Sequence, residues 1–422
     1  MAIERKVAIV TGANSGVGYA IVQRLAAESP IPLTIILACR NKTRAQEALT
    51  SLQEHFDGLQ QKHHSTSTSK KNQQQAPKPF YYPELKIELV DVGSASSVLA
   101  FNRRILEQHS RVDYLFCNAG ILPSEGLMWG KILTDMIRAP MDLVTRSDVL
   151  MQPKQHLTED GVGNVLACNV FGHYLMIKGL EDVLSKTEED PGRVIWTGSL
   201  TAEKASFRID DWQGMEAVQP YESSKWVTDL LAIRLNEQWA GSCSATDMDS
   251  VHSAGAGTGA GATGDSSSGS ESSSVQSGAS TPTRRITRSA SKSAIASDNT
   301  DNNNQKKHII SLSTQPGVVA SGIGGLASWI VLLRIALHYA VRFFGERNQT
   351  ISPFHGAHSN VYAALKQPVG KLDYRNKYGS CVGNFGKEFL KVEEVVEYDR
   401  SQAEFVVGKL EALRAEVCAK KE

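Results

Sequence analysis

The chain has 422 residues, 41% of them hydrophobic and 21% charged, long enough for one large α/β unit to bury a core. Lys plus Arg and Asp plus Glu each number 45, so the formal charge is zero and no basic surplus points to a nucleic-acid partner. Cys39, Cys117, Cys168, Cys243, Cys381 and Cys418 form no Cys-x-x-Cys pair and no cluster with His, which argues against a zinc site or a disulfide framework and for reduced thiols.

The first element is the apolar run Val7-Ala8-Ile9-Val10. It leads directly into Thr11-Gly12-Ala13-Asn14-Ser15-Gly16-Val17-Gly18 and an amphipathic stretch from Tyr19 to Ala27. A strand, a glycine turn and a helix start are the context in which main-chain N–H groups cradle a phosphate. Glu4, Arg5 and Lys6 interrupt any apolar run ahead of the strand, so no secretory signal is expected and the body of the chain should face the cytosol. Further strands are predicted at Leu33 to Ala38, Lys86 to Val90, Tyr114 to Cys117, Val194 to Thr197 and Ile309 to Ser313, with helical patterns between them. Strands apolar on both faces that alternate with helices predict a single Rossmann-like, doubly wound parallel sheet with helices on both faces. Residues 1–241 and 307–422 would form this one dinucleotide-binding catalytic domain.

Two stretches are expected to stand outside it. Residues 242–306 are dominated by Ser, Gly, Thr, Ala and Asn and read as a long disordered insert, because they cannot bury enough apolar surface to offset ordering entropy. The basic cluster Arg284, Arg285, Arg288 and Lys292 within it is a solvated linker or a docking or phosphorylation element. The polar tract from Gln60 to Pro79 reads as a stretched surface loop.

Ligands of such sheets bind beyond the carboxyl ends of the strands, and every polar signature lies just after a predicted strand. After the second strand an acidic residue would favour NAD. This chain has Arg40, followed by Arg44, and a guanidinium grips a 2′-phosphate, so NADPH is the expected cofactor unless Arg40 is simply solvated. Asp91 would lie beside an adenine or serve as a turn residue. Ketone reduction needs hydride on carbon and a proton on oxygen. Tyr221 can supply the proton, and Lys225, one helical turn on, should lower its pKa. Ser199 would donate to the substrate carbonyl or merely end its strand. Asn169 would bend its helix and hold a relay water, or be a satisfied buried amide.

With these residues the chain resembles the short-chain dehydrogenase/reductases, marked by Thr-Gly-x3-Gly-x-Gly, Asn-Ala-Gly, a Ser, Tyr-x3-Lys and a Pro-Gly after the sixth strand. Ala38-Cys39-Arg40-Asn41, Cys117-Asn118-Ala119-Gly120-Ile121, Asn169-Val170-Phe171-Gly172-His173, Val194-Ile195-Trp196-Thr197 and Tyr221-Glu222-Ser223-Ser224-Lys225 are similar to its 3-ketosteroid reductase branch in sterol biosynthesis. The resemblance implies NADPH-dependent reduction of a 3-keto group to a 3β-hydroxyl during sterol C-4 demethylation. It implies Tyr221 as acid, Lys225 as activator, Ser199 as carbonyl donor and Asn169 as relay. Cofactor contacts would come from Gly12, Asn14, Ser15, Gly16, Val17, Gly18, Arg40, Arg44, Asp91, Asn118, Gly120, Tyr221, Lys225, Pro316, Gly317, Val318 and Ser321; no metal is expected. Three features depart from the usual pattern: the wide gap between Ser199 and Tyr221, which contains Asp210-Asp211-Trp212, Ser321 where a Thr is common, and the insert at 242–306 ahead of the sixth strand.

A sterol substrate favours an apolar mouth close to a membrane. Within residues 318–345, the stretch Leu326 to Phe344 carries Arg334, His338 and Arg342 at spacing four, and reads as an interfacial helix or a core helix with a basic stripe. Gly126 to Met151, with Met128, Trp129, Met136 and Met141, reads as a substrate lid that touches lipid or as an oligomer contact. The expected partners are a sterol ketone, the membrane surface and other C-4 demethylation enzymes, and the expected location is the cytosolic face of the endoplasmic reticulum membrane, with lipid droplets as a further site. The competing readings are a related reductase of another lipid ketone or aldehyde, and a scaffold without turnover.

Overall fold

The computed structural model describes residues 4–67, 79–138, 149–240, 307–320, 328–366 and 373–421. Eight strands form the main sheet: β1 (Lys6–Thr11), β2 (Leu33–Cys39), β3 (Glu84–Leu89), β4 (Tyr114–Cys117), β5 (Gly192–Thr197), β6 (Ile309–Gln315), β7 (Asn376–Val382) and β8 (Glu388–Glu394). Their spatial order is β8-β7-β6-β5-β4-β1-β2-β3. All neighbours are parallel except β7 and β8. This is a Rossmann-like, doubly wound sheet, and its strand order reverses between β1 and β4, where a crevice opens at the carboxyl ends.

Side chains alternate across the sheet, so each face has its own apolar cluster. Ile9, Leu115, Val194 and Trp196 pack with Phe101, Tyr174, Leu230 and Val406 on one face. Val10, Phe116, Ile195 and Leu312 pack with Ile21, Leu25, Phe56 and Val361 on the other. Helices α1 (Gly16–Glu28) and α2 (Lys42–Ser67) follow β1 and β2, and α3 (Ala95–Gln108) follows β3. A short helix, α4 (Trp129–Arg138), lies beside the two-stranded pairing of Gly126–Leu127 with Leu150–Met151. The next helix, α5, runs through Asn164–Leu166, a π-helical turn at Ala167–Phe171, and Gly172–Leu184. The remaining helices used below are α6 (Pro220–Ala240), α7 (Ser328–Phe343), α8 (His358–Leu365) and α9 (Arg400–Lys421).

Three features differ from the sequence expectation. The sheet does not end at its sixth strand: β7 joins β6 in parallel, and β8 returns through the tight turn in which Gly383 N–H bonds the Lys387 carbonyl. Their half-polar sequences hide them, because an edge hairpin needs apolar residues on one face only. Helix α2 continues through Gln60, Gln61, Lys62 and His63, where a loop was expected. Leu52 and Phe56 anchor it, His63 stacks on Phe80 at 5.6 Å, and Gln and Lys are good helix formers. The rest of that tract, residues 68–78, lies outside the described residues, as does the insert at 242–306 with its basic cluster.

The third difference concerns α7. Its His338 and Arg342 are buried, with the Arg342 guanidinium over the Tyr339 ring, whereas Leu332, Leu337, Tyr339 and Phe343 are exposed, followed by Phe344. Of the basic stripe, His338 and Arg342 therefore turn toward the protein, as in a core helix, while Leu332, Leu337, Tyr339 and Phe343 turn outward. The Arg334 side chain lies outside the described residues. No helix among the described residues is long and apolar enough to cross a membrane.

Candidate active site

The glycine turn connects β1 to α1 at the switch point. Gly12 has φ +66°, and a Cβ on Gly18 would lie 2.3 Å from the Gly12 carbonyl oxygen and 2.6 Å from Asn118 Nδ2. The turn therefore needs glycine twice, for left-handed backbone and for close approach. Ser15 stands at the α1 N-cap with no side-chain hydrogen bond to the helix, so its hydroxyl is not spent on capping. Asn14, Gly16 and Val17 complete this rim. Thr11 is the hub beneath it. Its Oγ1 donates to the Phe116 carbonyl (2.9 Å), accepts the Asn118 and Ala119 N–H groups (2.8 and 2.9 Å), and lies 2.9 Å from His173 Nε2.

Arg40 and Asp91 stand at the ends of β2 and β3 with the guanidinium 3.8 Å from the carboxylate, and the Arg40 side chain is 73% exposed. Asp91 Oδ1 also accepts the Gly93 N–H, which gives it the turn role. Arg44 is exposed, on the first turn of α2. At the end of β4, Asn118 Nδ2 donates to the Thr11 carbonyl. A Cβ on Gly120 would come within 2.8 Å of Asn169 Oδ1, so this turn also depends on glycine.

Asn169 lies within the π-helical turn of α5, so the helix is indeed irregular there. Its amide is fully engaged: Oδ1 accepts the Ile121 N–H (2.7 Å), and Nδ2 donates to the Ile121 carbonyl (3.1 Å) and to Ser224 Oγ (2.9 Å). The side chain thus clamps the segment after Asn118-Ala119-Gly120 to the catalytic helix.

Tyr221 and Lys225 lie on successive turns of α6. Their relationship differs from the sequence expectation. Burial, with the nearby Glu222 charge, pushes the Tyr221 phenol up to about 12, and a hydrogen bond with Ser199 only partly opposes this. The expected lowering by Lys225 is not found, because the ammonium lies 5.6 Å from the ring centroid and donates to the Thr197 carbonyl at 2.7 Å. Burial brings Lys225 itself down to about 8. The phenol therefore keeps its proton at neutral pH. Ser199 Oγ pairs with Thr201 Oγ1 at 3.0 Å and faces Tyr221.

Pro316-Gly317-Val318 follows β6. Gly317 has φ +70°, and a Cβ there would lie 2.5 Å from the Asn348 carbonyl. The Val318 N–H bonds Asn348 O and its carbonyl accepts from Ile351, so this backbone is committed within its own loop. Ser321 lies outside the described residues.

Several participants escaped sequence reasoning. Gln152, at the end of the expected lid, accepts the Tyr221 N–H (3.0 Å) and donates to Glu222 (2.7 Å). His173, fully buried with Nε2 2.9 Å from the Thr11 hydroxyl, is driven down to about 3 by burial and the Lys225 charge. It belongs to a run the sequence singles out, but no chemistry was attached to it. Asp229 continues the spacing of four from Tyr221 and Lys225, a signal that was present. Lys377 lies on β7, and no local pattern pointed to it.

In the lid, Trp129, Leu133 and Ile137 are exposed along α4, and Met151 is exposed at its end. Met141 and the Met136 side chain lie outside the described residues.

A doubly wound sheet with a glycine turn at the switch point and a Ser, Tyr and Lys converging at its carboxyl edge defines a nucleotide-binding fold with an acid–base site, the arrangement this chain shares with short-chain dehydrogenase/reductases by resemblance. No family model matches the sequence. It is similar to the human 3-keto-steroid reductase/17-beta-hydroxysteroid dehydrogenase 7, 32% identical over 236 residues, or 56% of this chain and 62% of that protein. It is also similar to 3-keto-steroid reductases of Schizosaccharomyces pombe (29% over 234 residues, 54% of this chain and 62% of that protein) and Aspergillus fumigatus (32% over 247 residues, 53% and 52%). The matches span between half and two thirds of the length of these relatives. Among solved structures, an alcohol dehydrogenase from Thermococcus sibiricus complexed with 5-hydroxy-NADP aligns at 20% identity and a TM-score of 0.35, covering 56% of this chain and 71% of that one. The fold itself is defined by the strand order.

Proposed function

We propose that the chain is an NADPH-dependent reductase that converts the 3-keto group of a sterol intermediate to a 3β-hydroxyl during C-4 demethylation. The observation that carries this reading is the convergence of Ser199, Tyr221 and Lys225 at the same sheet edge as the glycine turn, in a chain similar to named 3-keto-steroid reductases. The residues fit a dinucleotide. A Cβ would fill the cradle at Gly18, the Ser15 hydroxyl is not used by its helix, and Arg40 offers an exposed cation where a 2′-phosphate would lie.

When bound, the nicotinamide supplies the hydride. Everything else comes from the chain. Ser199 directs its hydroxyl toward the substrate carbonyl and Tyr221. Tyr221, protonated at neutral pH, donates its phenolic proton to the forming alkoxide. Lys225 holds the end of β5 through Thr197 and supplies positive charge beside the tyrosinate that follows. Asn169 fixes the Ile121 segment against Ser224, so the crevice wall and the catalytic helix keep their spacing.

The outward apolar side chains of α4 and α7 support a membrane-facing mouth, through which a substrate nearly absent from water would enter. We place the chain on the cytosolic face of the endoplasmic reticulum membrane, with lipid droplets as a second location and other C-4 demethylation enzymes as neighbours. An NADPH-oxidation assay tests the activity with a 4-methyl 3-keto-sterol alongside retinal and a 17-keto-steroid. Turnover confined to the 3-keto-sterol supports the reading; preference for either of the others overturns it.

A further inference from the structure

Directly behind the Tyr221–Lys225 pair lies a second pair of charges that the reaction scheme does not use. Asp229, one turn beyond Lys225 on α6, is buried, and its Oδ1 accepts the Ser313 hydroxyl of β6 at 2.5 Å. Its Oδ2 lies 2.6 Å from Lys377 Nζ. The same ammonium donates to the Ser199 main-chain carbonyl at 2.7 Å. Lys377 reaches this place because β7 continues the sheet beside β6, in the register that sets Lys377 opposite Ser313. The approach is tight: a Cβ on Gly198 would lie 3.2 Å from Asp229 Oδ1 and 3.3 Å from Lys377 Cε.

We propose that Lys377, locked by Asp229, is a positioning residue that fixes Ser199 through its carbonyl and acts as a second positive charge that governs when Lys225 carries its own. A lysine serving only as a strut would need one acceptor. This one joins the residue that faces the substrate to the carboxylate one turn from the catalytic ammonium, in a buried setting where charges are poorly screened.

The fields around Lys225 are consistent with this role. Burial lowers its pKa, Asp229 opposes that, and Lys377 reinforces it. The other titratable groups facing it are Cys117 from β4, which raises it, His173 from α5, which feels its charge, and Tyr221 on its own helix. The Lys225 midpoint is thereby brought down to about 8, within reach of neutral pH, where a neighbouring charge can alter its protonation.

The importance of this tuning rests on the proposed reductase activity, but its test does not. In the full-length chain without cofactor, lysines carrying a 13C label at Cε are followed by NMR, and the Lys225 signal is identified by its loss in Lys225→Arg. Lys377→Met, which removes a like charge and frees Asp229, should move the Lys225 midpoint upward by about one pH unit. Asp229→Asn should move it downward, and Lys377→Arg should leave it close to wild type. Lys377→Met leaves a buried carboxylate without its partner and can fail to fold, so Lys377→Gln, which keeps a donor for Ser199 but no charge, gives a second reading in the upward direction. Opposite shifts for the neutral Lys377 variants and for Asp229→Asn support the proposal. Shifts in the same direction, or none, overturn it. A chain that reduces no 3-keto-sterol would end the functional reading while leaving this titration unchanged.

Discussion

Ser199 and Tyr221 face one another although a long loop separates them in sequence, and the Ser199 hydroxyl is placed to oppose the upward shift that burial imposes on the phenol. Asp211 organises that loop by accepting the Met215 and Glu216 N–H groups, and the Gly163 N–H donates to Gln213 from the base of α5. The wide spacing therefore does not separate the two hydroxyls. It is folded back against α5, and the chemistry follows from the contact it permits.

Arg40 should set cofactor choice. Its side chain is exposed, with only a 3.8 Å contact to Asp91, so removing it disturbs little of the fold. Arg40→Ala should lower kcat/KM for NADPH by about 10- to 100-fold, the worth of a charge-assisted phosphate contact, and change the NADH value little. Steady-state kinetics with both cofactors checks this, and an equal loss with each would remove Arg40 from the phosphate site.

Gly18→Ala tests the cradle. The new methyl group meets the Gly12 carbonyl oxygen and the Asn118 amide, and the amide cannot withdraw without breaking its bond to the Thr11 carbonyl. A loss of about 1 to 3 kcal/mol is expected, together with loss of the NADPH fluorescence change on binding. Thermal unfolding and fluorescence titration report the two effects separately.

His173 gives the fold a defined sensitivity to acid. Its folded-state pKa is depressed from 6.5 to about 3, so between those values the unfolded chain binds the extra proton and stability falls as pH falls. From neutral pH to about pH 5 this residue should account for about 2 kcal/mol. Denaturant unfolding of wild type and His173→Gln at both pH values measures the difference. The variant should show the shallower decline.

The outward face of α7 should govern membrane association. Phe343 and Phe344 are both largely exposed, so Phe343→Glu and Phe344→Glu should alter stability by about 0.5 kcal/mol or less. Co-sedimentation with phospholipid vesicles should fall several-fold. Undiminished recovery on vesicles would assign that face another role.

The central strands were legible in the sequence because buried parallel strands are continuous apolar runs, and the turns after them because they demand glycine or a polar side chain at fixed offsets. Gly12, Gly18 and Asn118 could be found on those grounds. Lys377 could not, because its function depends on a hairpin strand whose apolar residues cover only one face, and on pairing with Asp229 across 148 residues. The direction of the Tyr221 shift was also out of reach. Helical spacing places Lys225 one turn away, but it shows neither the depth of burial nor the Thr197 carbonyl toward which the ammonium is turned. The same limit applies to α7: a stripe at spacing four marks a face, and only the packed structure decides which way that face looks.

The most direct test is NADPH-dependent reduction of a defined 3-keto-sterol by wild type and Tyr221→Phe, with circular dichroism confirming that both are folded. Wild type should form the 3β-alcohol, and the variant, which keeps the ring but lacks the proton, should be slower by about 100- to 10,000-fold. Equal rates in the two proteins would contradict the account.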